Sequence, residues 1–260
     1  MTKILTINNL NYWMYNDFNL SVESEQFISI IGTNNSGKTT LFRLISGIVP
    51  TTNVINCCGI NLNRQNVNNY IRQLGLVFVT NKNCFLYDNV YDELSYPLKN
   101  LGYSENYIIR SISKILNLFS LDIKDKKIDE LNKYEKQCLL FCLALIHNPK
   151  VLLIDDVFNY MSEKDVKKII GILKTIKKLT IINFSSSFIY CDECDYIYVL
   201  DNGEIKLEGN YQAMLKEVST LIKLGIELPF TIKLSNRLQE EGLTKKEYLS
   251  LEELVNDIWG

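Results

Sequence analysis

Within the stretch IIGTNNSGKTTLFRL, Ile30 to Leu44, the residues Gly32, Gly37, Lys38 and Thr39 keep the spacing G-x-x-x-x-G-K-T. Such a loop suits phosphate chemistry. Its glycines let the backbone approach an anion, its N–H groups and the following helix N-terminus cradle the charge, Lys38 reaches the outer phosphates, and Thr39 offers a hydroxyl to Mg²⁺. The candidate nucleotide-binding set is therefore Gly32, Thr33, Asn34, Asn35, Ser36, Gly37, Lys38, Thr39 and Thr40. A nucleoside triphosphate site also needs an acidic residue where a buried strand ends, and VLLIDD supplies two. Asp155 is placed to hold Mg²⁺ through its water shell, and Asp156 stands where an attacking water would be polarised.

These residues need strands and helices to present them. ILTINNL, FISIIG, GLVFV, VLLID, TIINF and YIYVL are short runs rich in β-branched and aromatic residues, and they read as strands. Between them, KTTLFRLISGI follows the glycine loop. SENYIIRSISKILNLFSL carries helical spacing after a candidate N-cap, Ser104, and KYEKQCLLFCLALIHN is apolar nearly all round and so belongs inside. Alternating strands and helices imply an α/β core. The helix-rich region from about 83 to 131 interrupts that core and reads as an inserted helical subdomain, which extends to about 148 if the apolar helix is counted with it.

Composition narrows the class. With 260 residues, 47% of them hydrophobic, the chain can bury a large core. A formal net charge of -2 gives no whole-protein attraction to nucleic acid or anionic lipid. The N-terminus lacks a secretory pattern and the longest apolar run, CLLFCLALI, is too short to span a bilayer. The expectation is a cytoplasmic chain that reaches a membrane only through a partner. The cysteines, 7 in number, follow no disulfide framework and read as reduced thiols. Cys191 and Cys194 form one C-x-x-C, but there is no second pair and the single histidine, His147, is distant in sequence.

The order of phosphate loop, helical insertion, apolar helix, NPKVLLIDD, TIINF and YIYVLDNGEI resembles the ATP-binding-cassette (ABC) ATPases over Met1 to about Lys206. The tail, with LEG, LGIELPFTIKL and LSLEELV, is similar to the C-terminal extension of the ATPase subunits of energy-coupling factor transporters. The resemblance implies an α/β P-loop NTPase core with an inserted helical subdomain (domain 1–205) and a small helical C-terminal extension (206–260). It implies ATP and Mg²⁺ as cofactors. It further implies a second ATPase subunit, a heterodimer being favoured over a homodimer, and a transmembrane coupling subunit, with no nucleic acid partner. In the last helix, Ser250 and Glu253 form a capping box before a stripe of Leu251, Leu254, Val255 and Ile258.

Set against that family, several positions depart. The signature that reaches the partner's nucleotide falls on LNKYE, Leu131 to Glu135, with both glycines gone. Lys133 and Tyr134 put side chains where backbone should approach phosphate, and Asn132 with Glu135 reads as an N-cap and its reciprocal partner, occupying N–H groups otherwise free for an anion. The glutamine that joins Mg²⁺ to the helical subdomain is Val79, the catalytic glutamate is Asp156, the switch histidine is Ser186, and the dimer loop becomes NYMS, Asn159 to Ser162. The adenine-stacking aromatic falls among Tyr12, Trp13 and Tyr15; strand alternation puts Trp13 and Tyr15 on one face, and Tyr15 is favoured. Two readings follow. One is the ATP-binding subunit of an energy-coupling factor uptake transporter; the other is a nucleotide-binding pseudo-ATPase with a structural or regulatory role.

Overall fold

The computed structural model describes residues 2–51, 53–78, 85–244 and 256. Val79, Cys84 and the capping box and stripe of the last helix lie outside them.

The N-terminal strands β1 (Lys3–Tyr12) and β2 (Tyr15–Glu23) form an antiparallel hairpin, followed by β3 (Phe27–Ile31) and α1 (Lys38–Ile45). Short strands β4 (Ile55–Cys57) and β5 (Ile60–Asn61), then α2 (Val67–Ile71), lead to β6 (Leu74–Phe78). The insertion carries α3 (Val90–Asn100), α4 (Glu105–Leu118) and α5 (Lys133–Leu145), with no strand among its described residues beyond a single bridge between Asn89 and Lys127. The chain returns through β7 (Val151–Asp155), α6 (Glu163–Lys174), β8 (Thr180–Ser185), β9 (Tyr196–Asp201) and β10 (Glu204–Gly209). It continues as α7 (Tyr211–Leu215), α8 (Val218–Lys223) and α9 (Phe230–Glu240).

Two sheets result. One has the order β2-β1-β4-β5, the other β10-β9-β3-β8-β7-β6, parallel except for β10. The parallel strands are covered on both faces, which is why they read as unbroken apolar runs. In β7, Val151 and Leu153 pack toward α1 and the antiparallel sheet, while Leu152 and Ile154 pack toward the helical insertion and α6. All four are fully buried.

The structure differs from the expectations at one boundary and in two local details. A domain limit at 205/206 would cut β10, whose residues Glu204 and Gly209 pair with Asp201 and Ile197 of β9, so the core sheet runs to Gly209. Polar alternation hid that strand: Glu204, Lys206 and Glu208 interleave with Ile205 and Leu207 on an edge with solvent on one side. Ser104 does stand at the N-cap of α4, but its side chain makes no capping hydrogen bond. Tyr12 and Tyr15 face each other across the hairpin, and Trp13 occupies its turn with φ of 51°, so Trp13 and Tyr15 do not share a strand face.

Candidate functional site

Parallel strands bring their C-terminal ends to one edge, and the candidate residues gather there. Asp155 at the end of β7 pairs with Phe184 of β8, while Ile31 at the end of β3 pairs with Ser185 on the other side of β8. The phosphate loop and the acidic pair are thus about two strand spacings apart, roughly 10 Å.

The loop is held from three sides. Lys38 is 5% exposed and its Nζ donates to the carbonyls of Gly32 at 2.7 Å and Thr33 at 2.9 Å. The turn after β9 donates from Gly203 N to Ser36 O at 3.1 Å. From below, Tyr15 Oη donates to Gly37 O at 2.9 Å. Two glycines are required by space. A Cβ on Gly32 would lie 2.4 Å from Leu200 O, and one on Gly37, whose φ is 112°, would lie 2.5 Å from Tyr15 Oη. No side chain caps the N-terminus of α1, so its N–H groups stay free for an anion.

Electrostatics tie the two halves together. Burial pushes the Lys38 ammonium below its ordinary pKa, opposed by the charges of Asp156 and Asp155. Burial raises the Asp155 carboxyl to about 6, reinforced by Asp156 and opposed by Lys38, the Thr39 hydroxyl and Arg43. Asp155 Oδ1 is buried without a hydrogen-bond partner, as is Ser36 Oγ. Desolvated acceptors beside a buried ammonium and an uncapped helix N-terminus suit a hydrated divalent cation bound with polyphosphate. The residues present therefore fit Mg²⁺ and a nucleoside triphosphate, with Thr39 and Asp155 the groups that would hold the metal. Asn34, Asn35 and Thr39 are exposed on the loop's open side, and Thr40 is half-buried behind it.

Tyr15 requires a correction. It is 2% exposed and stacks edge-on against Phe18 at 4.8 Å, so neither ring face can receive adenine; its hydroxyl supports the loop instead. Trp13, 75% exposed, stands next to Met14, whose Sδ lies 2.8 Å from a Cβ built on Gly37. Met14 of the hairpin turn thus touches the loop, and Trp13 precedes it in the same turn.

Asp156 adopts φ of 55° and is engaged within the chain. Its Oδ1 accepts from Asn159 Nδ2 at 2.8 Å, from Ser186 N at 3.0 Å and from Ser186 Oγ at 3.5 Å, and Asn159 Nδ2 also reaches Ser186 Oγ at 3.2 Å. The residues standing for the glutamate and the histidine are thus joined directly and through Asn159, the first residue of the altered dimer loop. Asn159 Nδ2 as a ligand of Asp156 was not evident from sequence, because the two meet only through the tight turn Val157–Tyr160.

At LNKYE the reciprocal cap is present. Asn132 Oδ1 accepts from Glu135 N at 2.9 Å, Glu135 Oε2 accepts from Asn132 N at 2.8 Å, and Glu135 Oε1 pairs with Lys126 at 3.0 Å. Lys133 is exposed, but Tyr134 is half-buried with the Lys168 ammonium 4.9 Å from its ring centroid. Of the two side chains expected to crowd a phosphate, Tyr134 turns inward against α6.

The tail also touches the site. Glu227 O accepts from Phe188 N at 2.8 Å and Ser187 Oγ at 3.4 Å, and Gly225 approaches Thr33, with 3.3 Å between a built Cβ and Thr33 Cγ2. The segment between α8 and α9 therefore lies against both the phosphate loop and the Ser186 strand end. Cys191 and Cys194 are buried as free thiols near α6, and no group of three or more metal-ligating side chains gathers among the described residues.

Comparison with known proteins agrees with this geometry. The family model described as ABC transporter matches residues 15–159, and the model described as the energy-coupling factor transporter EcfA1 C-terminal domain matches 229–260. An energy-coupling factor transporter ATP-binding protein EcfA1 of Ureaplasma parvum is 27% identical, covering 92% of this chain and 83% of its own length. The EcfA1 protein of Streptococcus pneumoniae is 28% identical, over 96% of this chain and 93% of its own. Among solved structures, cbiO1 of Clostridium perfringens, described as part of the ABC transporter complex cbiONQ, superposes with a TM-score of 0.76. It covers 89% of this chain and 98% of its own at 24% identity, a likeness of fold.

Proposed function

Because the chain belongs to the ABC transporter family, we propose that it is the ATP-binding subunit of an energy-coupling factor type uptake transporter, in which MgATP closes a pair of ATPase subunits and that closure moves a membrane partner. The carrying observation is the buried Lys38 held at the mouth of a glycine loop, electrostatically coupled to Asp155, whose buried Oδ1 has no hydrogen-bond partner. The EcfA1 names of the relatives and the tail match support the transporter type. No helix among the described residues is long and apolar enough to cross a membrane, so the reading assigns membrane attachment to partner subunits. The helical insertion offers a surface for one of them. Leu86 is 72% exposed beside the tilted Tyr87–Tyr96 ring pair, and Glu93 grips the N–H groups of Leu86 and Tyr87 at 2.8 Å each.

In this reading the bound nucleotide supplies the phosphate charge that closes the dimer, and the protein's own groups bind and orient it. Lys38 would exchange the loop carbonyls for the outer phosphates, Thr39 and Asp155 would hold Mg²⁺, and Trp13 would supply the ring on which the base stacks. Hydrolysis at the site this chain owns is slow, because Asp156 is shorter than glutamate and is already held by Asn159 and Ser186. That observation favours the second reading, a pseudo-ATPase whose ATP stabilises the complex without turnover. A heterodimer suits both readings, since a homodimer would pair two altered signatures with two altered bases.

Calorimetry with MgATP tests nucleotide binding. Lys38→Ala should weaken it by a charged hydrogen bond, about 1.5–3 kcal/mol, and folded wild-type protein that takes up no MgATP would overturn the proposal. Affinity isolation of the full chain, followed by identification of bound subunits, separates the transporter from a free-standing nucleotide-binding protein. Recovery of a second ATPase and a membrane subunit is the expected outcome.

A further inference from the structure

At the edge of the main sheet opposite the phosphate loop, the turns entering β3, β7 and β8 enclose a cavity of about 670 Å³. β3 alone separates it from the phosphate loop by roughly 15 Å, so it is no part of the nucleotide site. Its walls come from two different bodies of the fold: α4 of the helical insertion on one side, and the strand-entry turns of the core on the other.

The floor is apolar, formed by Ile4, Ile115, Leu145 and Ile146, while the rim carries Lys114, Lys150, Lys177 and Lys178 against Glu25 alone. Four lysines against one glutamate leave a formal +3 on a chain whose net charge is -2. A purely structural role is available, since α4, α5 and α6 end nearby and cations offset helix C-termini. Three termini at about half a charge each leave about +1.5 uncompensated. None of the four makes an ion pair or a side-chain hydrogen bond among the described residues, and the one electrostatic neighbour of Lys150 outside the cavity is the Cys57–Cys58 thiol pair.

A volume in the range of ligand pockets, an apolar floor and a ring of unpaired ammonium groups describe complementarity to one class of molecule. We propose that this cavity binds a small amphiphilic anion, an acyl or alkyl chain on the floor with a carboxylate or phosphate head on the lysine rim. Because Lys114 and Ile115 belong to the insertion and Lys150 and Lys177 to the core, an occupant bridges the two bodies and links their relative position to its own concentration.

The test uses the full chain and defined probes below their micellar concentrations: laurate, dodecyl phosphate, dodecanol and inorganic phosphate, each followed by calorimetry and native mass spectrometry. Saturable one-to-one binding of laurate or dodecyl phosphate is expected, with dodecanol and inorganic phosphate at least tenfold weaker. The stronger of the two anions identifies the head group as carboxylate or phosphate. The double variant K150Q/K177Q should lose at least tenfold in affinity by removing two charged contacts, and Ile115→Trp should abolish binding by filling the floor. Both variants should retain MgATP binding, which reports that they are folded, and MgATP should not displace the probe. Absence of saturable binding to the wild-type chain, equal affinity for dodecanol, equal affinity for inorganic phosphate, or affinity unchanged in both variants each overturns the proposal.

Discussion

Acidification should loosen the grip on MgATP over a pH interval where an ordinary aspartate is silent. Burial beside Asp156 raises the Asp155 carboxyl from 3.8 to about 6. Metal binding requires the carboxylate, so a proton competes with Mg²⁺. With a pKa near 6, the group is about one-tenth protonated at pH 7 and about nine-tenths protonated at pH 5. Affinity should therefore fall about tenfold across that range, whereas a carboxyl at 3.8 would change it by less than a tenth. The nucleotide's own phosphates titrate in the same region, so the same calorimetric series is run on Asp155→Asn, and the difference between the two profiles belongs to Asp155. The unliganded chain gives an independent reading. A carboxyl whose folded pKa is raised adds stability that is fully present below the unfolded value and is lost as pH rises through the folded one. Asp155→Asn should accordingly match wild type in thermal unfolding near pH 3.5 and exceed it above about pH 6. Parallel affinity profiles for the two proteins, together with equal stability at neutral pH, would refute the assignment of Asp155 as a desolvated metal ligand.

Other expectations follow from particular contacts. Trp13→Ala should weaken ATP binding by about 1–3 kcal/mol, the usual worth of a base stacked on an aromatic ring, while Tyr15→Phe should cost stability rather than stacking; fluorescence titration and thermal melts separate the two. Gly37→Ala must force a left-handed backbone and a contact with Tyr15 Oη at 2.5 Å, and should abolish nucleotide binding in calorimetry. Asp156→Glu with Ser186→His should raise a slow ATPase rate, and adding Asn159→Asp, which releases the 2.8 Å hold on residue 156, should raise it further; a wild-type rate already within about 1–10³ per second would contradict the reading of these positions. Replacing Asn132, Lys133, Tyr134 and Glu135 with Ser, Gly, Gly and Gln in the reconstituted complex should increase hydrolysis at the partner's site, measured as phosphate release, and no change in an already fast complex would count against it.

Much of the fold was legible because parallel strands buried on both faces leave unmistakable apolar runs, as in VLLID and TIINF, and because the glycine loop names its own strand and helix. β10 escaped since one of its faces is solvated and Glu204, Lys206 and Glu208 break its apolar run. In the candidate site, the placing of Gly32, Lys38 and Asp155 at one sheet edge was legible because the motif spacing names the strand ends that carry them, and the cap between Asn132 and Glu135 because it is local. Tyr15 was misassigned for a physical reason. Two-residue alternation holds within a strand, but the chain reverses at Trp13 and Met14, so the residue that looked like a partner on the same face faces the core instead. The approach of Asn159 to Asp156, and of Glu227 to Ser187, depends on turns and on a tail returning from far along the chain. No periodicity carries that information.

The altered positions share one physical feature. At α5, the N–H groups of Asn132 and Glu135 are taken by that pair's own side chains; at the end of β7, the Asp156 carboxylate is taken by Asn159 and Ser186. In each place a donor or acceptor suited to a nucleotide between subunits is satisfied inside the chain. A reciprocal cap stabilises a helix start by about 1 kcal/mol, and any group drawn across to a phosphate must first give up that contact. Stability gained within the subunit is thus subtracted from the affinity of the closed pair. Lys38 shows the opposite arrangement. Its present partners are backbone carbonyls of the loop, weaker acceptors than a polyphosphate, so its transfer to nucleotide is favourable. Under the proposed transporter reading, binding at the phosphate loop is preserved by the same accounting that makes the composite sites expensive to complete, and the balance between the two would set how long a closed complex waits before it opens.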